Sequence, residues 1–299
     1  MALPAKLDDI LQKLSENSDS LVVGIKKDVE SLETKLFASI SEFIAGLEKD
    51  KAGNIKPNKP NIKKLSTLNS FINNAIVDDA YLKKVNEYIK SLEESQVLIA
   101  EYFKDLDVGY KDDMAFNKVV NDALLNPIRN TLTQEGLSQN VNTQIQKSIT
   151  NSIVGGYKTT QALSELSLLV IGNKEKQGLL SRHIDQVATD ATNQYVATYY
   201  EVIGSDLGLE FYLYEGSKKD TTREFCQQRY GKYFHKKEVQ AWGNLSNWAG
   251  RIPTTNSANI FIYRGGYNCR HQPIPVSTII VPKDVIERNI KNGNYKPKK

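Results

Sequence analysis

From Val22 onward the apolar residues Ile25, Val29, Leu32, Leu36, Ile40, Phe43 and Leu47 return every three or four positions. That spacing puts them on one face of a helix. A strand cannot use it, because side chains alternate across a sheet with a period of two. The start of the chain is therefore committed to an amphipathic helix with a near-heptad seam. Such a seam can pack within the chain's own bundle or against a partner in a coiled coil. Gly24 and Gly46 weaken both arrangements, glycine being a poor helix former.

The same spacing recurs from Leu68 to Phe103, through Phe71, Ile72, Ala75, Ile76, Leu82, Val85, Ile89, Leu92 and Leu98. Between the two patterns lies AGNIKPNKPNIKK, where Pro57 and Pro60 lack a backbone donor and clash with a preceding helical turn, so the segment reads as a linker. DVGYKDD ends the second pattern. Helix then resumes through AFNKVVNDALLNPIRNTL, with a kink or new turn at Pro127, and through NTQIQKSITNSIV as far as Gly155 and Gly156. Thr159 or Thr160 is expected to cap a helix carrying Leu163, Leu166 and Leu169, and LSRHIDQVATDATNQYVATYYEVIG to form another ending at Gly204.

After Gly204 the texture changes. LEFYLYEG reads as a half-buried strand, IFIYRG (260–265) and STIIVP (277–282) as further strands, and EVQAWGNL as a short helix carrying Trp242. The end, IERNIKNGNYKPKK, lacks a core-forming pattern and is expected to be mobile. The fold class expected is mainly α with a small C-terminal α+β domain: long amphipathic helices, then a compact loop-rich module. The divisions are an N-terminal helix (1–50), a Pro/Lys linker (51–65), a helical domain (66–204), the α+β module (205–282) and a basic tail (283–299).

A 40% apolar fraction in 299 residues suffices for a buried core. The longest apolar runs, such as Leu168–Ile171, fall far short of the roughly 20 residues that cross a bilayer. MALPAKLDDILQKL interleaves Asp8, Asp9, Gln12 and Lys13 with its leucines, so no export signal is expected. Two cysteines are too few for a disulfide scaffold.

Cys226, Cys269, His235 and His271 all fall in two short polar blocks, 220–238 and 265–277. Thiolates and imidazoles are the usual ligands of structural zinc, so these four form a candidate metal set, although neither block has the usual ligand spacing. The alternatives are a cysteine pair in contact or oxidised to a disulfide, and small buried side chains with hydrogen-bonded histidines, which needs no cofactor. A Cys/His-dependent hydrolase would have His235 or His271 activate a thiol, with Asp220 or Glu224 orienting the imidazole. A nuclease built on Arg223, Glu224, His235 and His271 lacks converging carboxylates. No catalytic residue is assigned, and a non-enzymatic protein is expected. His183 lies at helical spacing among Leu179, Leu180 and Ile184 and reads as a helix-surface residue.

Arg223 and Arg270 are structural forks whose planar donors can bridge separate segments. Asp220 opens an Asp-Thr-Thr turn, Asn268 lies in the second block, and Gly231, Gly265 and Gly266 serve tight turns. Trp242, Trp248, Phe225, Phe234 and Tyr263 are the expected aromatic core. Residues 251–299 carry nine Lys or Arg against two acids. Lys283, Arg288, Lys291, Lys296, Lys298 and Lys299 are thus candidates for phosphate contacts, the alternative being a solvated tail.

SRHIDQVATDATNQYVATYYEVIG, FYLYEG, DTTREFC followed by GKYFHKKEV, and GGYNCRH with PV shortly after occur in an order that resembles the phage Mu protein F-like head morphogenesis family, the minor head or minor capsid proteins. Upstream, IVGGYKTTQALSEL is similar to that family's glycine turn and short helix. The resemblance covers about residues 140–278 and leaves the first 110 without a counterpart. Many members end the module with His-Pro-Asn-Cys-Arg-Cys; here Gly266-Tyr267-Asn268-Cys269-Arg270-His271 stands in its place, keeping a ligand type at the last position and losing the leading histidine. Some relatives continue into a toxin domain, for which the remaining residues are too few.

The resemblance implies a few-copy component of the virion head, made in the bacterial cytoplasm. It would be associated with the portal protein and other head proteins, would contact packaged double-stranded DNA and leave with it on ejection, and would have no membrane role during assembly. A homo-oligomer through the N-terminal helices, as in a scaffold-like assembly factor, is the remaining alternative.

Overall fold

The computed structural model describes residues 4–297 apart from 27, 28, 77, 78, 107 and 134. Lys298 and Lys299 lie outside the described residues. The described residues are 66% helical with a small antiparallel sheet near the C-terminus, the fold class expected. Its helices begin with α1 (Ala5–Lys26), α2 (Val29–Ala45), α3 (Lys59–Ile76), α4 (Asp79–Asp105) and α5 (Met114–Thr133). A short α6 (Glu135–Leu137) leads through a π-turn into α7 (Thr143–Val154), followed by α8 (Thr159–Val170) and α9 (Leu179–Asp206). Two compact units interleave these segments. One comprises Val22–Ile89 and Leu125–Ala188, the other Met1–Leu21, Lys90–Leu124 and Thr189–Lys299.

In the first unit, α2 packs on α3 and α8, and α7 packs on the same two helices. All eight seam residues from Val22 to Leu47 are buried, so the stripe is covered within the chain. The Pro/Lys linker is corrected to a packed connection. Pro60 sits in the first turn of α3, where its missing N–H would have had no partner. The fully buried Asn61 accepts the Glu48 N–H at 2.8 Å and donates to the Glu48 and Lys56 carbonyls, both at 2.9 Å. Pro127 falls inside α5, which continues to Thr133. The N-cap of α8 is Lys158 and not a threonine; Thr159 Oγ1 instead donates to the Gly53 carbonyl. His183 is half-buried, not on the surface, with Nε2 3.3 Å from the Thr131 carbonyl.

In the second unit, β1 (Phe211–Gly216) is the centre of a sheet ordered β2-β1-β3, with β2 (Lys232–His235) and β3 (His271–Val276) antiparallel to it. Tyr212 and Tyr214 point to one face, with α10 (Glu224–Gln227), α11 (Lys236–Trp242) and α12 (Ile260–Tyr263). Phe211 and Leu213 point to the other, with Val281 and Val285. The strand expected to be half-buried is thus covered on both faces. Gly204 does not end α9; a Cβ there would lie 2.7 Å from the Pro275 ring, so glycine serves the approach of β3.

Three further expectations are corrected. IFIYRG forms α12 and no strand, because Asn256 and Asn259 side chains bond nearby backbone N–H groups and start a turn ahead of it. STIIVP forms a short 3-10 turn, Thr278–Ile280; the strand lies earlier, where Pro273 and Pro275 are tolerated on a sheet edge. The segment expected to be mobile forms α13 (Lys283–Lys291), anchored by buried Val285 and Asn289, with Tyr295 edge-on to Phe211 at 5.0 Å. In the aromatic core, Ile260 and Phe261 take the place expected of Tyr263, while Phe225 and Trp242 are buried and Phe234 and Trp248 pack against them.

Candidate functional site

Three elements bring rare side chains to one point. α10 supplies Cys226, the loop after α12 supplies Cys269, and the first residue of β3 supplies His271. Their ligand-type atoms all lie within 4.8 Å of one another, and the two Sγ atoms are 3.6 Å apart. The cysteines are free, and all three residues are buried. Tyr214 closes the group from β1, its hydroxyl 3.4 Å from Cys226 Sγ and 3.9 Å from Cys269 Sγ, its ring stacked on His271.

His235 does not join them. It pairs with Phe211 at the start of β1, whereas His271 pairs with Gly216 at its end. Five residues of strand set them about 17 Å apart along β1, on its opposite edges. His235 instead caps α11, its Nδ1 accepting the Lys237 N–H while Glu238 accepts the His235 N–H. The four-residue metal set is therefore reduced to three. Asp220 and Glu224 are both exposed, and Glu224 accepts from Gln228.

The loop that carries Cys269 is held from several sides. Arg223 donates to the Gly265 carbonyl at 3.2 Å and the Tyr267 carbonyl at 2.5 Å, tying α10 to it. Trp248 Nε1 donates to the same Gly265 carbonyl at 2.9 Å. The Asn268 N–H donates to Asp190 Oδ1 of α9 at 2.6 Å, and Arg270 pairs with Asp19 of α1 at 2.6 Å. Gly266 has φ +98° and lies so close to the Gly250 carbonyl that a Cβ would overlap it. Gly265 needs no unusual φ; its side chain is excluded because a Cβ would stand 2.6 Å from Cys226 Sγ and 2.7 Å from Cys269 Sγ. Gly231, with φ +70°, turns the chain into β2.

Arg264 was read from the sequence only as the end of a strand. It is 1% exposed, has φ 53° and ψ −127°, and its three guanidinium nitrogens have no hydrogen-bond partner among the described residues. A buried long cation gives no sequence signal, because arginine ordinarily marks a surface. Its charge acts on both Asp190 and Cys269. Burial pushes the Asp190 carboxyl up, against the pull of the Asn268 N–H and Arg264. The hydrogen bond with Cys226 holds the Cys269 thiol well below its ordinary value, helped by His271 and Arg264, and the same bond drives Cys226 upward.

A pocket opens on this cluster, lined by Ser217, Thr222, Arg223, Asn268 and Arg270 together with the two cysteines and His271. Of the basic tail residues, Lys283, Lys291 and Lys296 are exposed, whereas Arg288 pairs with Glu238 at 3.0 Å. No helix is long and apolar enough to cross a membrane among the described residues.

No family model, curated protein or solved structure matches the chain.

Proposed function

We propose that the protein is a minor structural component of a tailed-phage head, acting in head morphogenesis beside the portal and in contact with packaged DNA. The observation that carries this reading is the closure of residues 220–238 and 265–277 into one module, with Cys226 beside Cys269 and His271. The part of the resembling text from FYLYEG to the second block thus lies in one compact unit, whereas IVGGYKTTQALSEL lies in the other. The exposed lysines of α13 and beyond fit a DNA-facing role, since phosphate contacts are made by such side chains.

The test is the composition of particles. Mass spectrometry of purified virions from the phage or prophage that encodes the chain should recover it in a few copies, and it should co-purify with the portal protein. Absence from particles in which the portal is readily detected would sink the reading. Degradation of DNA or RNA by the purified chain, lost in Cys226→Ala and His271→Ala, would assign a hydrolase in its place.

A further inference from the structure

Two cysteines in a buried cluster can be a disulfide in waiting, a pair of thiols, or two ligands of one ion. A disulfide needs the sulfurs at about 2.05 Å. In a tetrahedral zinc site with Zn–S bonds of about 2.3 Å, the sulfurs stand about 3.8 Å apart. Here they stand 3.6 Å apart, with an imidazole nitrogen inside the same 4.8 Å group.

Three further observations point to a cation held between them. His271 is 4% exposed, a ring nitrogen lies in the 4.8 Å group with both sulfurs, and its Nε2 has no hydrogen-bond partner among the described residues. The Tyr214 hydroxyl stands 3.4 Å from Cys226 Sγ and 3.9 Å from Cys269 Sγ, within reach of both sulfurs as a donor. Gly265 brings bare backbone against both sulfurs, where any side chain would displace them. Hydrogen-bonding groups packed around the ligands are the usual outer layer of a metal site.

We propose that Cys226, Cys269 and His271 hold one zinc ion, with its fourth position facing the polar pocket between the two loops. Two thiolates balance the charge of the ion, and Asp190 balances Arg264. The soft donor set selects zinc over magnesium or calcium, which take oxygen ligands. The ion ties α10, the 264–270 loop and β3 together in a small module rich in irregular structure, where a metal link adds most to stability. The site does not depend on the phage-head reading, and either can fail without the other.

The full-length chain, purified under reducing conditions, should contain one equivalent of zinc by elemental analysis. After removal of metal with a chelator, Co2+ should bind with one equivalent, giving the visible bands of a tetrahedral ion and a thiolate charge-transfer band in the near ultraviolet. Zinc should then displace it. Cys226→Ser, Cys269→Ser and His271→Gln should each weaken binding at least about a hundredfold, beyond the range for groups that merely support ligands, and His235→Gln should leave it unchanged. Should a variant fold poorly, the wild type alone decides: chelation should lower its melting temperature and added zinc restore it. The proposal is overturned if folded, reduced wild-type protein binds neither zinc nor Co2+, if it binds Co2+ without the charge-transfer band, or if binding survives loss of both cysteines.

Discussion

The Asp190 carboxylate in α9 accepts the backbone N–H of Asn268 at 2.6 Å, across 78 residues of chain. Asn268 has φ 55°, a left-handed conformation that asparagine tolerates better than most residues. One residue later comes Cys269, so this bond fixes the turn that delivers the thiol to Cys226.

Asp190 also acts electrostatically on the buried Arg264, and removing one charge from a buried pair leaves the other uncompensated. Asp190→Ala should therefore destabilise the protein by about 2–4 kcal/mol. Asp190→Asn keeps an acceptor and deletes the charge, and should cost nearly as much. Denaturant unfolding measures both; an asparagine variant as stable as wild type would show that Arg264 does not rely on this carboxylate.

Asn61 makes a second prediction. It satisfies three backbone groups of the turn between α2 and α3 from a fully buried position. Asn61→Ala should cost about 1–2 kcal/mol, because the Glu48 N–H loses its acceptor while the Glu48 and Lys56 carbonyls keep the Lys56 and Asn58 N–H groups. Asn61→Asp should be worse, since it loses the two donated bonds and adds a buried charge. A melting temperature for Asn61→Ala equal to that of wild type would make the segment the loose linker its prolines suggest.

The helices were legible because one physical requirement, an apolar face, repeats over many turns: Leu36 and Ile40 are fully buried as their spacing demands. FYLYEG was legible because Phe211 and Leu213 alternate with Tyr212 and Tyr214. β3 was not, since Pro273 and Pro275 argue against a strand until a neighbour makes it an edge. IFIY misled in the other direction, its β-branched and aromatic residues being overridden by the asparagine turn that precedes it. The gathering of cysteine and histidine into two short blocks marked the region of the site. Which histidine belongs to it was not legible, because His235 and His271 are told apart only by the end and the edge of β1 that each meets. Arg264 left no trace in composition or spacing.

His235 gives the module a pH dependence of definite sign. Its pKa is lowered, chiefly by burial and also by Lys237, against the opposing pull of Glu210 and Glu238. The unfolded chain therefore takes up a proton at this residue more readily than the folded one below about pH 6.5. The contribution is fully present above that pH and is lost as pH falls toward the lower folded value. Protonation would also remove the acceptor for the Lys237 N–H. His235→Asn keeps a capping oxygen and no titratable group. Wild-type stability relative to His235→Asn should decline between about pH 7.5 and 5.5; a difference that stays flat across that range would remove histidine from the account.

The last prediction separates the residues of the basic end. Arg288 is held by Glu238 and by the Tyr233 carbonyl, so it belongs to the packing of α13 on β2 and α11. Lys283, Lys291 and Lys296 are exposed. If these three meet DNA phosphates, each contributes about 0.9 to the slope of log affinity against log salt. Replacing all three with alanine should then reduce the magnitude of that slope by about 2.7 for any duplex sequence. Arg288→Ala should instead lower stability, because it strips Glu238 of a partner while leaving the lysines in place. Fluorescence anisotropy with a labelled duplex over a salt series reads the first effect, and denaturant unfolding the second. A triple variant with the wild-type slope would place the DNA contact elsewhere on the protein or nowhere, since loss of three phosphate contacts cannot leave counterion release unchanged.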